Sequence, residues 1–523
     1  MKKFYLTTPI YYVNAAPHVG SAYTTIAADV LARHYRQQGR DVFLLTGTAE
    51  HGQKMAQAAR AAGMSPQEFV GENSARFAAA WQKLNIRYDD FIRTSQPRHE
   101  AAVKKFFERL KSSGEIYEGE YEGLYCVGHE AFLKESELDD EGKCPDHQTV
   151  PETVKEKNWF FKLSAYAEPL TKIITKGGLV IQPESKKKEV LSFIGQGLDD
   201  ISISRQNVEF AIPLPWDASQ TIYVWLDELF NYCSAIGYGL PSSAADRGER
   251  AEGQTIGFDY WWPADLHLIG KDIIKFHCII WPALLLAAGL PLPKKVFAHG
   301  FFTINGQKIS KSLGNAIDPV VLADEYGADA VRYFILRDIP FGNDGDFSTE
   351  RLRERYNADL ANGLGNLVSR VLNMMEQYKI SPPDTESLRQ LPPVKRGIGA
   401  SKSRLPFYTG EREWDQTVAA NLESLAFDKA LEVIWHEIQK ADELIEQKKP
   451  WELAKAGSSP NKGRLEGVQE LEKVLNQLYR SLVTINAAIA SFMPETHEKL
   501  TGLLAARPLK KPAEPLFARK KSA

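Results

Sequence analysis

Phe4-Tyr5-Leu6-Thr7-Thr8-Pro9-Ile10, then Ile26, Ala27, Val30, Leu31 and His34, then Val42-Phe43-Leu44-Leu45: this succession decides the fold. The first stretch is β-rich. The second repeats its apolar residues at helical spacing, and Gly39 stops it. The third is short and wholly apolar, the pattern of a buried strand. Strand, helix and strand in this order predict a parallel sheet in an α/β domain.

Between the first strand and the helix lies His18-Val19-Gly20-Ser21. Ligands of open α/β sheets bind beyond the C-terminal strand ends. There a helix offers free N–H groups and the positive end of its dipole to a phosphate. Gly20 lets a nucleotide lie close to the backbone, and His18 can donate a hydrogen bond to phosphate. Alone, such a tripeptide is too common to mark a site. Far along the chain, Phe301-Phe302-Thr303-Ile304 runs into Asn305-Gly306, a hairpin signal. Lys308-Ile309-Ser310-Lys311-Ser312 follows, and its two lysines and two hydroxyls suit a loop that grips polyphosphate. Taken alone it reads more readily as a solvated basic loop.

The βα rhythm fades from about 116 to 220, which reads as an insertion between two halves of the sheet domain. It returns at Thr221–Leu226, Leu266–Ile269 and Val296–Ala298. Near 350 the pattern turns helical: Leu352, Tyr356, Leu360, Leu364, Leu367, Val371 and Met374 recur at three or four residues. Further helices are expected around 427–446, 450–456 and 465–492. Polar stretches at 382–415 and 456–464 read as loops, and the basic tail as loose. The expected division is 1–115 and 221–300 for the two sheet halves, 116–220 for the insertion, 301–348 for the lysine-rich loop region and 349–523 for a helical domain.

With 523 residues the chain exceeds what one core supports. No run of 18 apolar residues suggests a membrane span, and the start lacks the features of a signal peptide, so a cytoplasmic protein is expected. The net charge of −3, from 64 basic and 67 acidic residues, neither indicates nor excludes nucleic acid. Four cysteines do not make a disulfide scaffold. Cys233 and Cys278 lie in apolar segments and read as buried thiols. Cys126-x-x-His129 and Cys144-x-x-His147 have the spacing of a tetrahedral structural zinc site, or of a knuckle that has lost its metal.

The two halves of the split site, in this order and on these elements, resemble the paired signatures of class I aminoacyl-tRNA synthetases. Thr7-Thr8-Pro9-Ile10-Tyr11-Tyr12-Val13-Asn14, Thr46-Gly47-Thr48-Ala49-Glu50-His51-Gly52-Gln53-Lys54, Tyr223-Val224-Trp225-Leu226-Asp227 and Gly270-Lys271-Asp272-Ile273 resemble methionyl-tRNA synthetases, over roughly residues 1 to 500. Ser21 and the compact insertion look closest to cyanobacterial-type members. The resemblance implies a Rossmann-type doubly wound parallel sheet with an inserted connective domain, followed by an all-α anticodon-binding bundle. It implies activation of methionine with ATP and Mg²⁺, release of pyrophosphate, and transfer of the methionyl group to its tRNA, both initiator and elongator. His18 and Lys311, with Lys308, would stabilise the α-phosphate. Gly270 and Asp272 would contact the ribose, and Gly20, Ser21, Ser310 and Ser312 would complete the ATP site. A second histidine is usual in this class where Ser21 stands.

Trp225, Glu228, Leu229 and Tyr232 fall on one helical face. With Ile10, Tyr12, Ala49, Ile273 and His277 they match the family's methionine pocket. Two positions depart. Ala49 stands where the family usually has an aspartate for the substrate ammonium, and Glu228 where it has a small residue. Glu228 is expected to supply the missing carboxylate. Asn366, Arg370 and Trp451 match the family's anticodon readers; the first two lie four residues apart on one face. Cys126, His129, Cys144 and His147 would hold structural Zn²⁺. A monomer is expected, since the dimerising domain of some relatives is not seen after residue 523. The departures at 49 and 228 also leave open a tRNA-binding paralogue that has lost activation.

Overall fold

The computed structural model describes residues 2–126, 131–133, 135, 138–145, 148–206, 208–239, 257–304, 306–309, 316–383, 413–457 and 464–521. At its centre is a six-stranded sheet. Its strands in chain order are β1 (Lys3–Tyr12), β2 (Asp41–Ala49), β3 (Asp90–Arg93), β4 (Val180–Gln182), β5 (Leu266–Gly270) and β6 (Lys295–His299). In space they run β3-β2-β1-β5-β6-β4, and every pairing is parallel. The chain winds one way from β1 through β2 and β3. It winds the other way through β5 and β6. The β1/β5 boundary is therefore the topological switch point, where such sheets open a ligand crevice.

The helix Val19–Gln37 joins β1 to β2. Ala22, Ile26, Ala27, Val30 and Leu31 are fully buried. Its alanines let it sit between the sheet and two later helices, Ala328–Arg337 and Glu413–Glu423. Arg332, which has no exposed surface, joins these parts. It donates to Asp29 Oδ2 at 2.6 Å, Phe492 O at 2.8 Å, Ser491 O at 3.0 Å and Leu84 O at 3.2 Å. A buried guanidinium is tolerable only with its donors filled in this way.

Two sheet expectations need correction. β4 lies inside 116–220, assigned from sequence to the insertion, yet it pairs with β6. A three-residue strand after Gly177-Gly178 is too short to show a period. Thr221–Leu226, expected as returning sheet, instead ends the strand Asp217–Ile222 of a separate antiparallel sheet and enters the helix Val224–Leu229. So short an apolar run fits either state. The insertion itself is built on an antiparallel sheet in which Ile116–Cys126 pairs with Glu152–Phe161.

From Thr349 onward the described chain is mainly helical, including Asn366–Gln377, Phe427–Lys448, Pro450–Gly457, Arg464–Ile489 and Pro494–Ala505. The expected loops at 382–415 and 456–464 fall largely outside the described residues, though Glu413–Glu423 is helix. The tail, expected loose, is docked. Asn357 Nδ2 donates to Lys520 O at 2.8 Å, and Lys520 N donates to Asn357 Oδ1 at 2.9 Å. Phe517 meets the edge of Tyr356. Specific side-chain bonds and one aromatic anchor hold it where no periodic pattern could have announced them. No described helix is long and apolar enough to cross a membrane.

Candidate active site

His18 is the N-cap of the helix Val19–Gln37, and its Nδ1 accepts from Gly20 N at 3.0 Å. A nitrogen that accepts is deprotonated, so the neutral ring carries its proton on Nε2. Ser21 Oγ donates to His18 O at 2.7 Å and accepts from His18 N at 3.1 Å. Ser21 thus completes a capping box around the histidine. Gly20 has a local reason beyond nucleotide approach: a Cβ there would lie 2.8 Å from His18 Cε1 and 3.0 Å from Nδ1.

A segment that flanks the second half of the split site reaches the first. Phe302–Ile304 and Gln307–Lys308 form the expected hairpin, with Gly306 at φ 74°. Ser310, Lys311 and Ser312 lie outside the described residues, as does the Lys308 side chain. Where the described chain resumes, Ile317 O accepts from Val19 N at 3.0 Å. The sequence after the lysine-rich loop is therefore bonded to the first helical residue beside His18. Thr24 Oγ1 and His299 Nε2, 2.6 Å apart, tie the same helix to β6. Gly270 ends β5 and is buried, and Asp272 follows it, exposed. A Cβ at Gly270 would lie 2.7 Å from Asp272 Oδ1, so the carboxylate lies over the glycine at the switch point.

Beside this crevice is an aromatic cluster. Ile10 and Tyr12 come from the end of β1, Ala49 from the end of β2, and Trp225, Glu228 and Leu229 from Val224–Leu229. Tyr12 meets Trp225 edge-on at 5.9 Å, and Trp225 stacks on Phe276 at 4.1 Å. His277 sits in a π-helical turn, Phe276–Ile280, which begins three residues after Ile273. Its Nε2 lies 2.7 Å from Tyr232 Oη and its Nδ1 3.0 Å from Ile273 O. Burial holds the His277 ring neutral, with its pKa lowered to about 4. Nδ1 then donates to the carbonyl and Nε2 accepts from the tyrosine. Ala49 is fully buried, and Glu228 is a buried carboxylate at 5% exposure. Phe276 was missed in the sequence reading, although it directly precedes His277.

Behind the pocket lies a second set of side chains without an assigned role in sequence. Asp227 Oδ2 is 2.7 Å from His51 Nδ1, and Asp227 Oδ1 is 2.6 Å from His99 Nε2. His99 Nδ1 reaches Ser234 Oγ at 2.7 Å. Burial opposes ionisation of Asp227, but the histidines outweigh it and hold the carboxyl at about 2. Glu50, fully buried, is held by Arg93 Nε at 2.7 Å and Nη2 at 3.1 Å.

In the helical region Asn366 is exposed and Arg370 half-buried on the same helix. Arg370 lies 2.6 Å from Glu446 and 3.4 Å from Asp442 on Phe427–Lys448. One residue, Lys449, separates that helix from Pro450–Gly457, which carries the half-buried Trp451. In the insertion Cys126 and Cys144 are buried, while His129 and His147 lie outside the described residues. Cys144 heads a tight turn: its O accepts from Gln148 N at 2.8 Å and its N donates to Thr149 O at 2.9 Å.

A histidine-capped helix at the switch point of a parallel sheet, with an aromatic cluster beside it, is the architecture of a Rossmann-type enzyme. The family described as tRNA synthetases class I (M) matches residues 4–150 and 143–372. A methionine–tRNA ligase of Thermotoga maritima is 43% identical over 504 residues, covering 95% of this chain and 74% of that protein. One from a Nostoc species is 44% identical over 488 residues, covering 92% and 86%. The Mycobacterium tuberculosis methionyl-tRNA synthetase solved with methionyl-adenylate superposes with a TM-score of 0.85 at 36% identity, covering 99% of this chain and 100% of that one. The chain belongs to the methionyl family of class I tRNA synthetases.

Proposed function

We infer that this chain is a methionine–tRNA ligase. It joins the carboxylate of methionine to the α-phosphate of ATP, releases pyrophosphate, and passes the methionyl group to the 3′ end of its tRNA. The pocket of Tyr12, Trp225, Tyr232 and neutral His277 beside the His18-capped helix carries this reading. Aromatic rings attract a polarisable thioether by roughly 0.3–1.5 kcal/mol each. ATP enters at the switch point, accompanied by Mg²⁺ as part of the substrate. The phosphate is attacked in line, so positioning and charge stabilisation do most of the work.

On this reading His18 Nε2–H meets the α-phosphate, fixed by the Gly20 bond at Nδ1. Lys308 and Lys311 supply positive charge from the other half, with Ser310 and Ser312 as hydroxyl donors. Gly20 and Gly270 give close approach, and Asp272 accepts from the ribose. Ser21 acts through the capping box that holds His18. Ile10, Leu229 and Ile273 complete the apolar lining. Glu228 takes the substrate ammonium in place of a carboxylate at Ala49, because an ammonium left unpaired in a buried pocket is costly.

Trp451 stacks on an anticodon base, while Asn366 and Arg370 hydrogen-bond to base edges, as unpaired loop bases are read. Arg370 must exchange Glu446 for RNA as it does so. Two buried thiols and two imidazoles are a donor set that suits zinc. Cys126, Cys144, His129 and His147 would hold it as a closed structural site that shapes the insertion. The function is tested by methionine-dependent ATP–pyrophosphate exchange followed by charging of methionine tRNA.

A further inference from the structure

His51, His99 and Asp227 are buried and titratable, and the reaction described above gives none of them a task. His51 follows Ala49 by two residues at the end of β2, and Asp227 immediately precedes Glu228. His99 comes from a third element, the helix Pro97–Ser112. One carboxylate thus bridges the strand end that forms one wall of the pocket and the short helix that forms the other. Both its oxygens are used, at 2.7 and 2.6 Å.

We propose that Asp227 is a positioning residue that sets the separation of the two pocket walls through His51 and His99, and so the affinity for the amino acid. This rests on the methionine-pocket reading above. The bridge is strongest when His51 is charged, because a charge-assisted hydrogen bond is roughly twice as strong as a neutral one. The groups facing His51 favour that form. Asp227 lies at 2.7 Å on Val224–Leu229, and Glu100 at 4.0 Å on Pro97–Ser112. Glu50, held by Arg93, lies on its own segment, and the Phe210 ring is 5.2 Å away. Burial opposes the charge on His51, but these carboxylates outweigh it and raise its pKa above 6.5. As pH climbs through that raised value, the bridge slackens while Asp227 stays ionised.

The test is the pH dependence of KM in pyrophosphate exchange, measured separately for methionine and ATP between about pH 6 and 9. In the native enzyme KM for methionine should rise toward alkaline pH while KM for ATP stays level. Asp227→Asn should raise KM for methionine by about tenfold or more near neutrality, with a much smaller change for ATP. His51→Gln keeps one N–H for Asp227 but cannot titrate. It should hold KM near the native high-pH value within about threefold at every pH and remove the alkaline rise. Equal increases in both KM values for Asp227→Asn, or no increase, overturn the proposal. So does an unchanged pH slope in His51→Gln, which also decides the matter if Asp227→Asn does not fold. Absence of methionine-dependent exchange in the native enzyme would instead refute the underlying function.

Discussion

Gly20→Ala separates the catalytic job of the histidine cap from its structural one. The new methyl carbon would stand 2.8 Å from His18 Cε1, where ordinary contacts are 3.4–4 Å. The ring must therefore move by roughly 0.6 Å or rotate, and the Gly20 N to Nδ1 bond is lost. Losing an N-cap costs about 0.5–2 kcal/mol. Replacing glycine by alanine in a helix returns about 1 kcal/mol, so net stability should change little. Activity should not be spared. A displacement near 1 Å of a positioned group can cost about 100-fold. A kcat for pyrophosphate exchange lower by about 10- to 100-fold is expected, equal to about 1.4–2.7 kcal/mol of barrier. The assay is kcat alongside a urea titration of the same preparation. A kcat within about twofold of native refutes the reasoning. So does an activity loss matched by a comparable loss of stability.

Glu228→Gln should raise KM for methionine strongly with KM for ATP near native, and adding Ala49→Asp should restore it; an unchanged KM in the single variant removes Glu228 from the ammonium site. Stability should fall as pH drops from about 6.5 toward 4. Burial lowers His34 and His277 to about 4 in the folded chain, so the unfolded chain binds protons first, a loss on the order of 3 kcal/mol each. Asp227, held at about 2, adds its loss only below about pH 4, and His51 works in the opposite direction. A urea midpoint that stays flat from pH 7 to 4 would contradict this. The purified protein should carry about one equivalent of zinc, falling below about half in Cys126→Ser; native protein below that level counts against the site.

The sheet was legible where its pattern is long. The Phe4–Ile10 strand, the helix with Ile26 and Val30, and the Val42–Leu45 strand all appear, because burial imposes their periods. β4 was not legible, being three residues whose place is set by pairing with β6 rather than by local pattern. The docked tail was missed for the same kind of reason: Asn357 and Phe517 act at long range. In the site, Tyr12 meets Trp225 and Tyr232 meets His277, whereas spacing alone had put Trp225, Glu228, Leu229 and Tyr232 on one helical face. The bond between Val19 and Ile317 and the Asp227 bridge lay beyond sequence reasoning. The first joins residues 298 positions apart and the second residues 176 and 128 apart, and no local signal marks such contacts. Ser21 had been read as a nucleotide contact, and its hydrogen bonds within the capping box could be seen only in three dimensions.

The most direct measurement is ATP–pyrophosphate exchange by the full chain with each amino acid in turn, followed by charging of methionine tRNA. Exchange should depend on methionine, remain near background with leucine or isoleucine, and be followed by esterification of the tRNA. Exchange that is absent, or indifferent to methionine, would contradict a methionine-activating site between His18 and the lysine-rich loop. Tight tRNA binding with no exchange would identify a binding protein instead.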